Sequence, residues 1–208
     1  MSQGNELPAA FLHDLEALES AYLSTNDPIR QSGFGGGAER WRAERSPLLD
    51  AVDEDGTLLD VGCANGFLLE CLVGWAAQRG IRLTPYGVDA GQRLIRLARE
   101  RLWRYRSNFY VANAWGWKPP RRFRYVYALY DSVPGEYLVE YVQRLTSGMV
   151  DAGGRFILGA YGSRSRRVEP FNVVAFLEAA GYDVAGSSSA GEPPISRFAW
   201  VDVGGGRR

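Results

Sequence analysis

A handful of short stretches in this chain of 208 residues carry side chains able to do chemistry. They are Asp60-x-Gly62-Cys63-Ala64-Asn65-Gly66, Asp89-Ala90, Asn113-Ala114-Trp115, Tyr130-Asp131 and Tyr161, with Phe34 set among Gly33, Gly35, Gly36 and Gly37. Carboxylates such as Asp60, Asp89 and Asp131 accept hydrogen bonds from hydroxyl and ammonium groups, or take a proton when their pKa is tuned. Aromatic faces at Phe34, Trp115, Tyr130 and Tyr161 suit flat or cationic groups. Other chemistries lack their residues. His13 is the only histidine and sits beside Asp14 and Glu16, the setting of a surface residue rather than of a base. Cys63 and Cys71 have neither metal-ligand spacing nor a disulfide framework, so no metal site is expected.

The stretch Leu58–Leu72 must position the first of these groups. Apolar Leu58 and Leu59 lead into Asp60, glycines punctuate the next residues, and apolar positions then resume at helical spacing. This predicts a buried strand, a glycine turn, and a helix that ends near Gln78 with Gly80 as its cap. Gly62 lets the backbone approach a ligand, and Gly66 lets the helix start tightly against the strand. The free N–H groups at that helix start face whatever lies over the strand end.

Further strands are expected at Tyr86–Ala90, Asn108–Ala114, Tyr125–Tyr130 and Arg155–Tyr161, the last entered through a Gly153-Gly154 turn. Apolar residues three and four apart predict helices over Gln92–Arg104, Glu136–Met149 and Phe171–Ala180. Tyr182–Gly186 and Phe198–Val203 complete the strands, joined by a soft Ser187–Pro194 linker. Strands alternating with helices form a parallel sheet covered on both faces, whereas a final pair with no helix between should be antiparallel. Ligands of such sheets lie beyond the carboxyl ends of the strands. Asp60, Asp89, Asn113, Asp131 and Tyr161 all fall at such ends.

Ahead of the sheet, Pro8–Leu23 carries a helical stripe of Phe11, Leu15, Leu18 and Tyr22. Ser24–Gly37 is a breaker-rich loop, either disordered or a lid that closes Phe34 over a ligand. Ser46-Pro47 starts a short helix running to about Val52. Residues 1–7 and 204–208 have no periodic pattern and are expected to fray.

The glycine spacing differs from a dinucleotide fingerprint, whose middle glycine clears room for a pyrophosphate; Ala64 stands at that position. Asp60-x-Gly62-x-x-x-Gly66 resembles instead the first motif, D/E-x-G-x-x-x-G, of the class I S-adenosylmethionine-dependent methyltransferases. The resemblance covers residues 55–203. It implies an α/β, Rossmann-like, doubly wound seven-stranded sheet in the order 3-2-1-4-5-7-6, with the last strand antiparallel. Residues 1–54 would then be an N-terminal helical cap and lid, and residues 204–208 a disordered tail.

The resemblance implies S-adenosyl-L-methionine as cofactor and S-adenosyl-L-homocysteine as its product. Asp60, Gly62, Cys63, Gly66, Asp89, Ala90, Asn113, Ala114 and Trp115 are the candidate cofactor-binding residues. Asp60 would hold the methionine end through the turn or a water, or simply brace the turn. Asp89 would accept both ribose hydroxyls in charge-assisted bonds, or cap the next helix. Asn113 stands where the family often has an aspartate that accepts from the adenine amino group, and its amide oxygen can also accept. Trp115 or Trp117 would stack on adenine or pack against a helix. Asp131 and Tyr130 are the candidate catalytic residues, and Phe34, Tyr130, Asp131 and Tyr161 the candidate acceptor walls. Asp131 would orient or deprotonate the acceptor, or cap the following helix. The run Ala128–Pro134 lacks the [DNS]-P-P-[YF] pattern of the family's DNA and protein amine methylases.

Composition narrows the partners. Net charge is zero and the pI is about 6.6, so no global basic field draws nucleic acid. Lys118 is the single lysine among 24 basic residues, a bias that strips arginine clusters of much of their signal. There is no signal-peptide pattern and no apolar run of membrane-spanning length, so a cytoplasmic protein without a membrane partner is expected. The expected activity is methyl transfer to a small-molecule substrate by in-line displacement, with the acceptor atom (O, N or C) open. Two other readings stand beside it. One is an RNA methyltransferase, resting on Arg121, Arg122, Arg124, Arg164, Arg166 and Arg167; the other is a non-catalytic S-adenosylmethionine-binding protein.

Overall fold

The computed structural model describes residues 7–204. The chain opens with α1 (Ala9–Tyr22), passes a 3-10 turn at Arg30–Ser32, and forms α2 (Ala38–Arg45), which leads directly into a second 3-10 turn at Ser46–Ala51. The sheet domain follows as β1 (Gly56–Val61), α3 (Phe67–Gln78), β2 (Leu83–Asp89), α4 (Gln92–Arg101), β3 (Phe109–Val111) and β4 (Phe123–Leu129). It ends with α5 (Leu138–Met149), β5 (Val150–Tyr161), α6 (Val173–Ala179), β6 (Gly186–Ala190) and β7 (Ser196–Asp202). The strands make one seven-stranded sheet in the order β3-β2-β1-β4-β5-β7-β6. β7 is antiparallel to β5 and β6, and the other pairs are parallel.

Alternation along the strands builds two cores. Leu59, Val61, Val126 and Ala128 join the apolar cluster of α5 and α6, with Leu138, Val142, Leu145, Val173 and Leu177. Their neighbours Leu58, Tyr125 and Tyr127 join the other cluster, with Leu69 and Leu72 of α3, Ile95 and Ala98 of α4, and Leu48 and Leu49 of the Ser46–Ala51 turn. Each fully buried leucine contributes about 1.5–3 kcal/mol through removal from water. Residues 46–51 therefore belong energetically to the sheet. Tyr125 adds a polar tie, its hydroxyl donating to Asp53 Oδ1 at 2.7 Å and accepting from the Glu54 N–H at 3.1 Å.

Several element boundaries differ from the sequence expectation. The sixth strand is Gly186–Ala190 rather than Tyr182–Gly186, so Ser187, Ser188 and Ser189 lie in a strand and not in a linker. It is an edge strand paired only with β7, held by backbone ladders that need no apolar alternation. Ser188 further donates to the Pro47 carbonyl at 2.7 Å. Gly153 and Gly154 fall inside β5, at a register break opposite β4, rather than ahead of the strand. β3 is only Phe109–Val111, which leaves Asn113 in the loop beyond it. Helix α2, unmarked by an apolar stripe, buries Trp41, Glu44 and Arg45. Leu7 does not fray; it is buried in the α5–α6 core. The expected frayed residues 1–6 and 205–208 lie outside the described residues. Among the described residues, no helix is long and apolar enough to cross a membrane.

Candidate active site

β1 and β2 run parallel in register, Asp60 beside Gly87 and Val61 beside Val88, so their carboxyl ends open side by side. Backbone bonds tie the turn after β1 to β2: the Gly62 and Cys63 N–H groups both donate to the Val88 carbonyl, at 2.8 and 3.2 Å. Gly62 (φ +85°) and Gly66 (φ +72°) hold left-handed conformations that favour glycine. A Cβ on Gly66 would stand 3.0 Å from Ala98 Cβ and 3.2 Å from its Cα, so glycine is what lets α3 start against α4. A Cβ on Gly62 would meet nothing closer than Ser132 Oγ at 4.0 Å. The space beside Gly62 is open.

Asp89 closes the turn. Its Oδ2 accepts the Ala64 N–H at 2.9 Å and its Oδ1 the Gly91 N–H at 2.8 Å. Asp89 thus braces the two turns rather than capping α4, whose first N–H groups go to Glu19, and its carboxylate keeps lone pairs for a further donor. Burial raises its pKa despite those two N–H groups. Asp60 is more extreme. It is 3% exposed, has no hydrogen-bond partner among the described residues, and burial, with Asp89 second, pushes its pKa up to about 7. Cys63 is buried in the same wall, its thiol pushed well up by burial, and so is chemically quiet.

Two cavities open here. The first, of about 250 Å³, has Gly62, Asp89, Ala90, Asn113, Ala114 and Trp115 on its sheet side. Leu15, Leu18, Glu19 and Tyr22 of α1 face them across it. Glu19 fixes that helix in place, accepting the Arg93 and Leu94 N–H groups at the start of α4 at 2.7 and 3.4 Å. Asn113 Oδ1 accepts the Trp115 N–H at 2.9 Å. The Trp115 ring lies under the Arg144 guanidinium at 4.4 Å and edge-on to Tyr137 at 5.5 Å, so its role is at least partly packing. Trp117 packs against Tyr110 with the rings tilted by 40°, and lines neither cavity.

The second cavity, of about 520 Å³, is lined by Asp60, Cys63, Phe34, Trp41, Tyr127 and Tyr161, with Arg40, Glu44 and Arg45 of α2 and Arg164 and Arg166 beyond β5. It is aromatic as expected, but far more charged than the sequence suggested. Tyr22, Ser32, Gly62, Ala64, Leu129 and Asp131 line both cavities, so the two spaces meet at these residues. Asp131 is exposed to that shared space, yet the surrounding protein desolvates its carboxyl enough to raise its pKa. Tyr22 has its phenol pKa raised by burial first, then by Asp131 and Asp89.

The predicted residues thus divide. Asp89, Ala90, Asn113, Ala114 and Trp115 gather in the first cavity; Asp60, Cys63, Phe34 and Tyr161 gather in the second; Gly62 and Asp131 line both. Gly66 lines neither cavity and lies against Ala98 of α4. Tyr130 lines neither cavity and stacks flat on Phe171, with centroids 4.6 Å apart and planes 4° apart. The segment expected to act as a lid is folded onto the turn, where buried Asn65 donates to the Pro28 carbonyl at 2.9 Å and to Gln31 Oε1 at 3.1 Å. Sequence reasoning missed Tyr22, Glu19, Tyr127 and Arg45. Tyr22 was legible only as part of an apolar stripe, and Arg45 was hidden among many arginines.

Sheet order, reversed seventh strand, glycine turn and strand-end carboxylates define the fold of the class I S-adenosylmethionine-dependent methyltransferases, and this chain has that fold. Among solved structures, the N-methyltransferase NodS from Bradyrhizobium japonicum WM9, in complex with S-adenosyl-L-homocysteine, is similar at 17% identity and a TM-score of 0.67. That match covers 91% of this chain and 97% of NodS. The 1,6-didemethyltoxoflavin-N1-methyltransferase of Burkholderia thailandensis, with 1,6-didemethyltoxoflavin and S-adenosylhomocysteine bound, is similar at 18% identity and a TM-score of 0.61, covering 95% and 92%. DhpI in its S-adenosylhomocysteine complex is similar at 18% identity and a TM-score of 0.58, covering 94% and 96%. No protein-family model matches the sequence, and no curated protein matches it.

Proposed function

We propose that the chain is a methyltransferase that binds S-adenosyl-L-methionine in the first cavity and passes its methyl group to a small molecule in the second. The carrying observation is that the two cavities meet at Gly62 and Asp131, one built around the aimed carboxylate of Asp89 and the other around a separate set of side chains. A protein that only bound the donor would need the first alone. NodS, the toxoflavin enzyme and DhpI were all solved with S-adenosylhomocysteine, which supports the donor assignment.

The residues fit that donor. The room beside Gly62 takes a chain that a Cβ would obstruct, whereas Asp60, expected to hold the methionine end, lines only the second cavity. Asp89 accepts ribose hydroxyls, while Asn113, Ala114 and Trp115 hold the base end. When bound, the donor supplies an electrophilic methyl on a positively charged sulfur. The chain's own work is alignment and dehydration, worth as much as about 7–11 kcal/mol in well-oriented systems. α1 excludes water over the donor, with Glu19 fixing its place. Asp131, at the meeting point, orients the acceptor and takes its proton where the acceptor must lose one; its raised pKa makes it a better base than an ordinary aspartate.

Calorimetry with S-adenosylhomocysteine should show micromolar binding, with NAD silent. Incubation with isotopically labelled S-adenosylmethionine and a fractionated small-metabolite extract should move label into a compound below about 1 kDa, read by mass spectrometry. Tight donor binding with no label leaving the donor across all fractions would favour the binding-only reading.

A further inference from the structure

We infer that the acceptor carries a carboxylate, and that Arg45 is the residue that recognises it; the inference rests on the second cavity being the acceptor site. Arg45, the last residue of α2, is only 5% exposed and lines that cavity. Its guanidinium lies 4.0 Å from the Trp41 ring centre, 4.2 Å from Phe34 and 4.3 Å from Tyr161. Aromatic faces stabilise a desolvated cation and fix its plane, but they take none of its N–H bonds in the way an acceptor does. Among the described residues, Arg45 donates no hydrogen bond, and Nη1 is enclosed without a partner. Its nearest carboxylate oxygen, Glu44 Oε2, is 3.8 Å away, too far for a hydrogen bond. Glu44 is itself committed to Arg40, whose Nη2 and Nε reach Oε1 at 2.8 and 3.1 Å.

A buried cation with unmet donors at a cavity wall is costly unless a ligand completes it. A planar guanidinium with free N–H groups matches a carboxylate in a two-pronged bond. The wall supplies a second donor. Tyr127 and Tyr161 hydroxyls are 3.1 Å apart, so one proton joins the pair and the other stays available. Arg164 and Arg166, in the exposed turn after β5, add positive charge to the same lining. Glu44 beside the guanidinium favours a singly charged carboxylate over a dianionic phosphate, which would be repelled more strongly. Asp60 and Asp131 lie with Gly62 and Ala64 in the lining, so the carboxylate belongs at the α2 end and the methylated atom at the Asp131 end.

The test uses benzoate, benzamide and phenyl phosphate as probes, with binding read by ligand-observed NMR and calorimetry on the full chain, with and without S-adenosylhomocysteine. Benzoate should bind at least about tenfold more tightly than benzamide, as a charge-assisted bond to a buried group requires. R45Q should lose that preference while binding S-adenosylhomocysteine within about twofold of wild type. If R45Q fails to fold, Tyr161→Phe, which keeps the ring, should still reduce benzoate affinity several-fold and leave benzamide unchanged. Equal binding of benzoate and benzamide, or a preference for phenyl phosphate, overturns the inference. So does benzoate binding that both variants retain. Loss of S-adenosylhomocysteine binding in the wild type would instead overturn the donor assignment, and the benzoate arm without it still decides the role of Arg45.

Discussion

The Glu19 carboxylate on α1 accepts the Arg93 backbone N–H at 2.7 Å, and the Arg93 guanidinium returns to its other oxygen at 3.3 Å. One residue thereby caps α4 and pins the helix that covers the first cavity. The hold matters because α1 buries none of its own residues and leaves Leu12 and Leu18 exposed at 39% and 43%.

Glu19→Ala should therefore loosen α1 more than it unfolds the domain. Loss of the cap costs roughly 1 kcal/mol of α4 stability. Hydrogen exchange across residues 9–22 should quicken, and S-adenosylhomocysteine should dissociate several-fold faster. Exchange and dissociation both unchanged from wild type would show that α1 is held by something else.

Gly62→Val should abolish donor binding, since a branched side chain both strains a backbone at φ +85° and fills the first cavity. Asp89→Ala should weaken binding by about tenfold or more, the loss of charge-assisted bonds. It should also lower the melting temperature, because the Ala64 and Gly91 N–H groups lose their acceptor. Calorimetry and thermal unfolding of both variants check this; unaltered affinities would refute the donor site.

Asp60 gives a pH dependence with a definite sign. Its folded pKa of about 7 lies above the unfolded value of about 3.9, so between them the native state holds a proton that the unfolded chain releases. Stability without ligand must then fall as pH rises from about 4 to about 7 and level off above, by up to an order of 4 kcal/mol. Asp89 and Asp131 are raised too and act in the same direction. Asp60→Asn should remove the largest part, so urea midpoints of variant and wild type should diverge between pH 5 and about 7. Midpoints running parallel across that range would contradict it.

The RNA reading makes a different demand. Arg121 and Arg122 precede β4 and sit at the amino end of the parallel strands, whereas Arg164, Arg166 and Arg167 follow β5 at the carboxyl end. RNA affinity should accordingly be weak, and Arg122→Glu and Arg166→Glu should each change it little. Tight binding that falls steeply with salt, is lost in both variants, and comes with methyl incorporation into RNA would replace the small-molecule proposal.

Much of this was written in local sequence. The glycine turn and the strand-end carboxylates followed from Asp60, Gly62, Gly66 and Asp89 with the alternation of elements, because strand, turn and helix signals are short-range; the sheet order came only from the family that the glycine motif resembles. What lay hidden is long-range. β6 reads as a serine linker since an edge strand is made by its partner's backbone. Arg45 looks like any charged helix residue until Phe34 and Tyr161, from other segments, close over it beside Trp41 of its own helix. Tyr22 fits a stripe whose polar tip gains meaning only from Asp89 and Asp131 across the cleft.

The placing of β7 between β5 and β6 has a consequence for the newborn chain. During vectorial synthesis Gly186–Ala190 leaves the ribosome before the only strand it pairs with, and β5 meanwhile shows an open edge. A serine-rich segment of low strand propensity is then an advantage. It has little tendency to seize that edge in the wrong order, and waits for Ser196–Asp202 to arrive and zip both sides at once.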